Sequence, residues 1–232
     1  MIKISLIILL ILINFSTEAG EKELREIIEK TYPELTIKSI QKTQYNDLYE
    51  IYIGGQIIYS DESFSFLIVE GRVVDPKTKV DLTTARLEEL NKVDFNSLPF
   101  KNAIKEVRGD GSRRIAVFSD VDCPFCRKLE KETITKLTDI TIYTFLYPLA
   151  IHPDAKEKSK KIWCAKNKVD AWSNYMIKNS LPENDGSCNT PVEANLELAR
   201  KLGISSTPTI IMADGKRIEG ALPYEEIAKF IK

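Results

Sequence analysis

The chain has 232 residues, room for one large domain or two small ones. Its 33 Lys and Arg against 34 Asp and Glu leave a formal charge of -1, so no electrostatic case exists for an anionic membrane, and no nucleic acid is expected as a partner. Hydrophobic residues make up 43%, ample for a buried core.

In chain order, residues 1–15 carry one positive charge, Lys3, and then an apolar run. Ser16-Thr17-Glu18-Ala19 follows, with small residues at the two positions a signal peptidase reads, Thr17 and Ala19. This predicts a signal peptide over 1–19, cleaved after about Ala19, and an exported mature chain. The alternative is an uncleaved anchor, although the apolar run falls short of the roughly 20 residues that span a bilayer.

Residues 21–30 form an amphipathic helix with Leu24, Ile27 and Ile28 on one face, ended by Tyr32-Pro33. Strand-like runs follow at 35–40, 48–53, 56–59, 65–69 and 72–74, punctuated by Gly54-Gly55, Asp61-Glu62-Ser63 and Glu70-Gly71. These predict a small α+β domain over 20–80, near the lower limit for a self-sufficient core. Its sheet edges need covering, which points to dimerisation through an edge strand; the alternative is a monomer packed on the rest of the chain. Residues 81–91 read as a linker helix, capped by Asp81 or Thr83, with Leu82, Leu87 and Leu90 as a thin apolar stripe. The linker region is 81–99.

Residues 100–232 then alternate. A segment 100–107 and a turn 108–112 lead to a strand at 113–119, a helix at 124–137 and a strand at 140–147. A long helical region over about 155–200 precedes a strand at 209–212, a turn, a strand at 216–219 and a last helix at 224–231, opened by Pro223. Strand-helix-strand, then a hairpin and a helix, is the arrangement of an α/β thioredoxin-like domain, here with a helical insertion.

The chemistry sits at the first strand-to-helix turn, in Cys123-Pro124-Phe125-Cys126. A sulfur at a helix N-terminus meets the partial positive charge and free N–H groups there, which favour its thiolate. An unperturbed thiol, with a pKa of about 8.5, is only a few per cent thiolate at pH 7. Cys123, expected to be well exposed, is the candidate nucleophile; Cys126, deeper, is the resolving thiol. Phe125 offers an apolar surface beside the sulfur, or packs. Thr207-Pro208 opens an apolar strand, where a proline is tolerated. In thioredoxin folds a cis proline at this point faces the CxxC and presents the preceding residue's backbone to a substrate peptide, so Thr207, Pro208 and Phe125 are the candidate substrate-binding residues. The acid that thioredoxins bury six residues before the first cysteine is missing, because Val117 stands there. Asp120 and Asp122 read as loop carboxylates; Asp122 opposes thiolate formation if close, and Arg127 and Lys128 favour it. His152, the only histidine, reads as a solvated loop residue.

Cys164 and Cys188 remain. In an exported chain they suit a structural disulfide closing a loop of about 25 residues, worth roughly 3–4 kcal/mol. Zinc held by four cysteines is the alternative, which a single CxxC fits poorly. No metal and no cofactor is expected.

Three stretches carry a resemblance: Phe118-Ser119-Asp120 through Cys123-Pro124-Phe125-Cys126-Arg127-Lys128-Leu129, Ile162-Trp163-Cys164-Ala165-Lys166, and Gly203-Ile204-Ser205-Ser206-Thr207-Pro208-Thr209. With Ile57-Ile58-Tyr59-Ser60-Asp61-Glu62 and Gly71-Arg72-Val73-Val74-Asp75, they make the chain resemble the DsbC/DsbG family of periplasmic disulfide isomerases. The resemblance implies an N-terminal dimerisation domain, a V-shaped homodimer with an apolar cleft, and misfolded exported proteins with non-native disulfides as substrates. It also implies a membrane reductase of the DsbD type as partner, and matches Cys164–Cys188 to the family's structural disulfide. Pro124-Phe125 departs from the Gly-Tyr of the best-known isomerase. The alternatives are a dedicated thiol reductase or oxidase for a few partners, and a redox-inactive holdase.

Overall fold

The computed structural model of the chain describes residues 14–231. Of the expected signal segment, positions 1–13 lie outside the described residues. Positions 14–19 open the first helix, α1 (Asn14–Thr31), which is longer than the predicted 21–30. Two compact units divide between Leu90 and Asn91.

In the first unit, Leu24 and Ile28, one turn apart on α1, bury themselves with Ile40, Tyr49 and Ile51. Those partners come from an antiparallel meander of β1 (Ile37–Lys42), β2 (Tyr49–Ile53) and β3 (Gln56–Ser60). The β2–β3 hairpin turns on Gly54 and Gly55, both at positive φ (57° and 87°), the backbone that a two-residue turn of matching twist demands. The runs at 65–69 and 72–74, expected as strands, do not extend this sheet. Ile68 makes a single bridge to Tyr59, and Val74 one to Asp81. The Asp61 carboxylate accepts the Ser65 N–H at 2.7 Å, and Phe64 and Glu70 stand at φ 56° and 59°. The chain therefore turns at both ends of the first run.

The helix expected as a linker, α2 (Leu82–Leu90), is fastened to this unit. Asp81 caps it by accepting the Thr84 N–H at 2.8 Å. Thr83 is buried instead; its hydroxyl meets that of Tyr59 at 2.5 Å and accepts the Val73 N–H at 2.9 Å. Arg86 donates to Glu50 at 3.0 Å and to Gln41 at 2.7 Å. Polar contacts thus do what the thin apolar stripe could not. Residues 91–99 belong to the second unit, where the Val93 N–H donates to the Gly215 carbonyl at 3.0 Å and Phe95 and Leu98 are buried.

The second unit is built on five strands: β4 (Ile104–Arg108), β5 (Arg113–Ser119), β6 (Ile140–Leu146), β7 (Thr209–Met212) and β8 (Arg217–Glu219). They lie in the order β4-β6-β5-β7-β8, with β5 and β6 parallel and the other pairs antiparallel. Central β5 is apolar throughout residues 115–118 because both its faces are covered there. Ile115 and Val117 pack with Leu129, Ile134, Ile142 and Ile210, whereas Ala116 and Phe118 pack on the other side with Phe95, Phe145 and Ile211. The helix leaving β5, α3 (Pro124–Glu132), stops short of the predicted residue 137 and a 3-10 turn follows at 134–136. Thr133-Ile134-Thr135 is a β-branched run, poor for helix, and the Thr133 hydroxyl donates instead to the Leu222 carbonyl at 2.8 Å.

Between β6 and β7 stand α4 (Ala155–Trp163), α5 (Lys168–Lys178) and α6 (Val192–Lys201). Trp163, Trp172, Tyr175 and Met176 form a core there with Val121, Cys126 and Leu146, so the insertion supports the CxxC turn. Cys164 is bonded to Cys188, tying the end of α4 to the loop before α6. A short last helix, α7 (Tyr224–Ile227), closes the unit.

Candidate active site

Strand β5 aims the chain at a tight turn in which the Cys123 N–H donates to the Asp120 carbonyl at 3.3 Å. Cys123 then caps α3 with extended backbone (φ -70°, ψ 121°), and Pro124 takes the first helical position, where a missing N–H costs nothing. Cys126 falls inside the first turn. Both thiols are free.

Cys123 is only 5% exposed and Cys126 1%, which corrects the expectation of a well-exposed first sulfur. The cause is the segment opening β7. The Thr207-Pro208 bond is cis and both residues are buried; the Cys123 sulfur lies 3.4 Å from the Thr207 carbonyl oxygen. Phe125 lies at the opposite extreme, 62% exposed. The structure therefore brings Cys123, Cys126, Thr207 and Pro208 together and leaves Phe125 as an open apolar surface on the same turn.

The two sulfurs are driven apart in acidity. A hydrogen bond from Cys126 holds the Cys123 pKa down at about 5 against the desolvation of its site, helped by Thr207, whose hydroxyl is otherwise unpartnered, and by the backbone N–H groups of Cys126 and Phe125. Burial, then the neighbouring Cys123, pushes Cys126 far up, although Ser119 and the Asp120 N–H, 3.4 Å from its sulfur, act the other way. Cys123 is thus the sulfur favoured as thiolate, while Cys126 keeps its proton.

The surrounding charges differ from their reading as loop groups. Burial works to raise Asp122, but hydrogen bonds from Lys158 (2.8 and 2.9 Å) and Tyr175 (2.9 Å) keep it below the ordinary carboxylate value. Arg127 turns away from the sulfur to donate to the Tyr175 carbonyl at 3.1 Å and to cover that ring. Lys128 is exposed. Asp120 is a loop carboxylate, but a fully buried one, and His152 is bound to it at 2.8 Å instead of being a solvated loop residue. Glu130 was not singled out at all. It is buried one turn beyond Cys126, accepts the Trp172 indole N–H at 3.2 Å, and burial holds its carboxyl up at about 7. Its spacing of four from Cys126 was the one available signal. Among the described residues no group of three or more His, Cys, Asp or Glu is placed to hold a metal ion.

Comparison with known proteins covers both units. Residues 15–84 match the disulfide bond isomerase protein N-terminal domain, and residues 100–232 match a thioredoxin-like domain. A probable thiol:disulfide interchange protein DsbC from Bordetella parapertussis is 37% identical over 203 residues, spanning 88% of this chain and 71% of that one. The thiol:disulfide interchange protein DsbC of Escherichia coli is 25% identical, spanning 88% of this chain and 86% of its own. Among solved structures, a disulfide interchange protein from Neisseria gonorrhoeae superposes with a TM-score of 0.54 at 40% identity, covering 57% of this chain and 96% of that one.

Proposed function

Because the chain belongs to the DsbC family of disulfide bond isomerases, we propose that it rearranges wrong disulfides in exported proteins, with Cys123 attacking and Cys126 resolving. The Cys123 thiolate displaces one sulfur of a client disulfide: a Cys123–client S–S bond forms, the client S–S bond breaks, and the leaving sulfur carries off the electron pair. A second client thiol then attacks the mixed disulfide and leaves with a new pairing, which is isomerisation. Alternatively Cys126 loses its proton and attacks Cys123; the client departs reduced and the enzyme keeps the Cys123–Cys126 disulfide. That branch consumes two electrons, and a membrane reductase of the DsbD type is the partner that restores them.

What supports this reading is the ionised Cys123 at the N-terminus of α3, against the cis Thr207-Pro208 segment. The Thr207 backbone and the open Phe125 ring are the surfaces that a client strand meets. Homodimerisation is supported by an exposed apolar run in the first unit, Phe66-Leu67-Ile68-Val69, whose Val69 is 59% exposed. Export to the periplasm, with residues 1–19 removed, agrees with the Cys164–Cys188 disulfide, which persists only where the compartment is oxidising. No helix of the described residues is long and apolar enough to cross a membrane.

The test is reactivation of scrambled ribonuclease by the mature chain. Cys123→Ala abolishes it, and Cys126→Ala retains part of it while accumulating mixed disulfides with the client. Full reactivation by Cys123→Ala would refute the assignment. Prevention of aggregation by Cys123→Ala, with no disulfide exchange in the wild type, would establish the holdase instead.

A further inference from the structure

One polar pair behind the active-site turn has no part in the exchange steps. The Asp120 side chain has no solvent exposure, yet it carries a carboxylate. Its Oδ1 accepts the Asp122 N–H at 2.8 Å; its Oδ2 accepts the Leu149 N–H at 2.7 Å and meets His152 Nδ1 at 2.8 Å. The same residue's carbonyl accepts the Cys123 N–H, and its amide N–H points at the Cys126 sulfur. A buried carboxylate three residues from Cys123 puts a second negative charge on the same tight turn as the thiolate. In a poorly solvated site that juxtaposition disfavours the thiolate strongly.

We propose that His152 is a positioning residue of the exchange reaction: as the imidazolium, it cancels the buried Asp120 charge behind Cys123 and so keeps the attacking sulfur ionised. The proposal rests on Cys123 being that sulfur. Backbone contacts hold the histidine for this task, its own N–H on the Leu149 carbonyl at 3.0 Å and its carbonyl on the Ala155 N–H at 3.1 Å. The other charges facing the site are already matched. Asp122 is paired with Lys158 of α4 and Arg127 of α3 and takes the Tyr175 hydroxyl of α5. Cys126 is protonated. The hydrogen bond to Asp120 raises the His152 pKa above its ordinary value against the opposing effect of burial, and the charges of Asp120, Cys123 and Asp122 add to the rise. The imidazolium is therefore held to a higher pH than in an unpaired histidine, and is lost as pH rises through that raised value. The ring is 22% exposed, so its proton exchanges with solvent directly.

The experiment uses the reduced full chain and two variants, His152→Gln and His152→Ala, each checked for native far-ultraviolet dichroism. Gln keeps an N–H donor for Asp120 Oδ2 but carries no charge; Ala removes both. The readouts are the ultraviolet absorbance of the thiolate against pH, and the rate of iodoacetamide alkylation with the labelled cysteine located by mass spectrometry. Removal of a compensating charge at this range moves a pKa by about one to three pH units. Both variants are expected to raise the Cys123 midpoint by about one pH unit or more, and to slow its alkylation about tenfold at a pH near the wild-type midpoint. A Gln variant that titrates like the wild type would overturn the proposal, since the role would then be hydrogen bonding alone. Should Ala unfold the chain, the Gln arm carries the decision. Label found on a residue other than Cys123 overturns the assignment of the attacking sulfur itself, an outcome separate from an unchanged midpoint at labelled Cys123.

Discussion

Glu130 offers a stability measurement whose sign follows from burial alone. The carboxyl is buried, accepts the Trp172 indole N–H, and titrates at about 7 instead of the ordinary 4.5, mainly from desolvation, with Glu106 adding to the rise and Arg108 opposing it. A pKa raised in the fold means that the native state binds the proton more tightly than the unfolded chain does. Stability therefore falls as pH rises from about 4.5 to about 7, and above 7 the ionised group carries the full cost. At about 1.4 kcal/mol per pH unit, that cost is about 3 kcal/mol. Gln in its place keeps an acceptor for Trp172 and removes the charge. Arg108 is not left unpaired, because it bonds Glu106 at 2.6 Å and reaches the Ile134 carbonyl. Glu130→Gln is thus expected to be more stable than wild type by about 2–3 kcal/mol at pH 8, and nearly equal to it at pH 4. Urea denaturation of both proteins across that range, with the Cys164–Cys188 bond intact, gives the difference directly. The difference cancels the titration of His152 and the other shared groups. Equal stability at pH 8, or a difference that grows toward low pH, would show that Glu130 is not held in its protonated form.

Two further outcomes concern the second unit. Phe118, fully buried on β5 and stacked on Phe145 with ring centroids 4.9 Å apart, is expected to cost about 3–5 kcal/mol when replaced by Ala, read as a lower urea midpoint with an unchanged slope. The double substitution Cys164→Ser with Cys188→Ser opens a loop of sequence separation 24 and is expected to lose about 3 kcal/mol of stability, while the thiolate absorbance of Cys123 against pH stays where it is.

What could be read along the chain was whatever depends on neighbours in sequence. The apolar run 115–118 leading to the CxxC identified β5 and the start of α3, because strand, turn and helix N-terminus follow one another directly. The Gly54-Gly55 hairpin was legible for the same reason. What failed depended on partners far away. Asp120 and His152 are 32 residues apart, so neither shows by spacing that the other binds it. Residues 66–69 are apolar enough to be a strand, but the turn at Asp61 and the left-handed backbone at Phe64 and Glu70 limit their pairing with β3 to the single Ile68–Tyr59 bridge. Cys123 looked exposed because a helix N-terminus usually is; the segment that covers it arrives 84 residues later.

That cover has a consequence for what the enzyme can act upon. A cysteine only 5% exposed is not open to a disulfide locked inside a folded domain; a client has to present its sulfurs on loose chain. Correctly bridged proteins have withdrawn their disulfides into their cores and pass unread. Proofreading then needs no recognition of which pairing is wrong. Accessibility does the sorting, and each client leaves the cycle by its own folding.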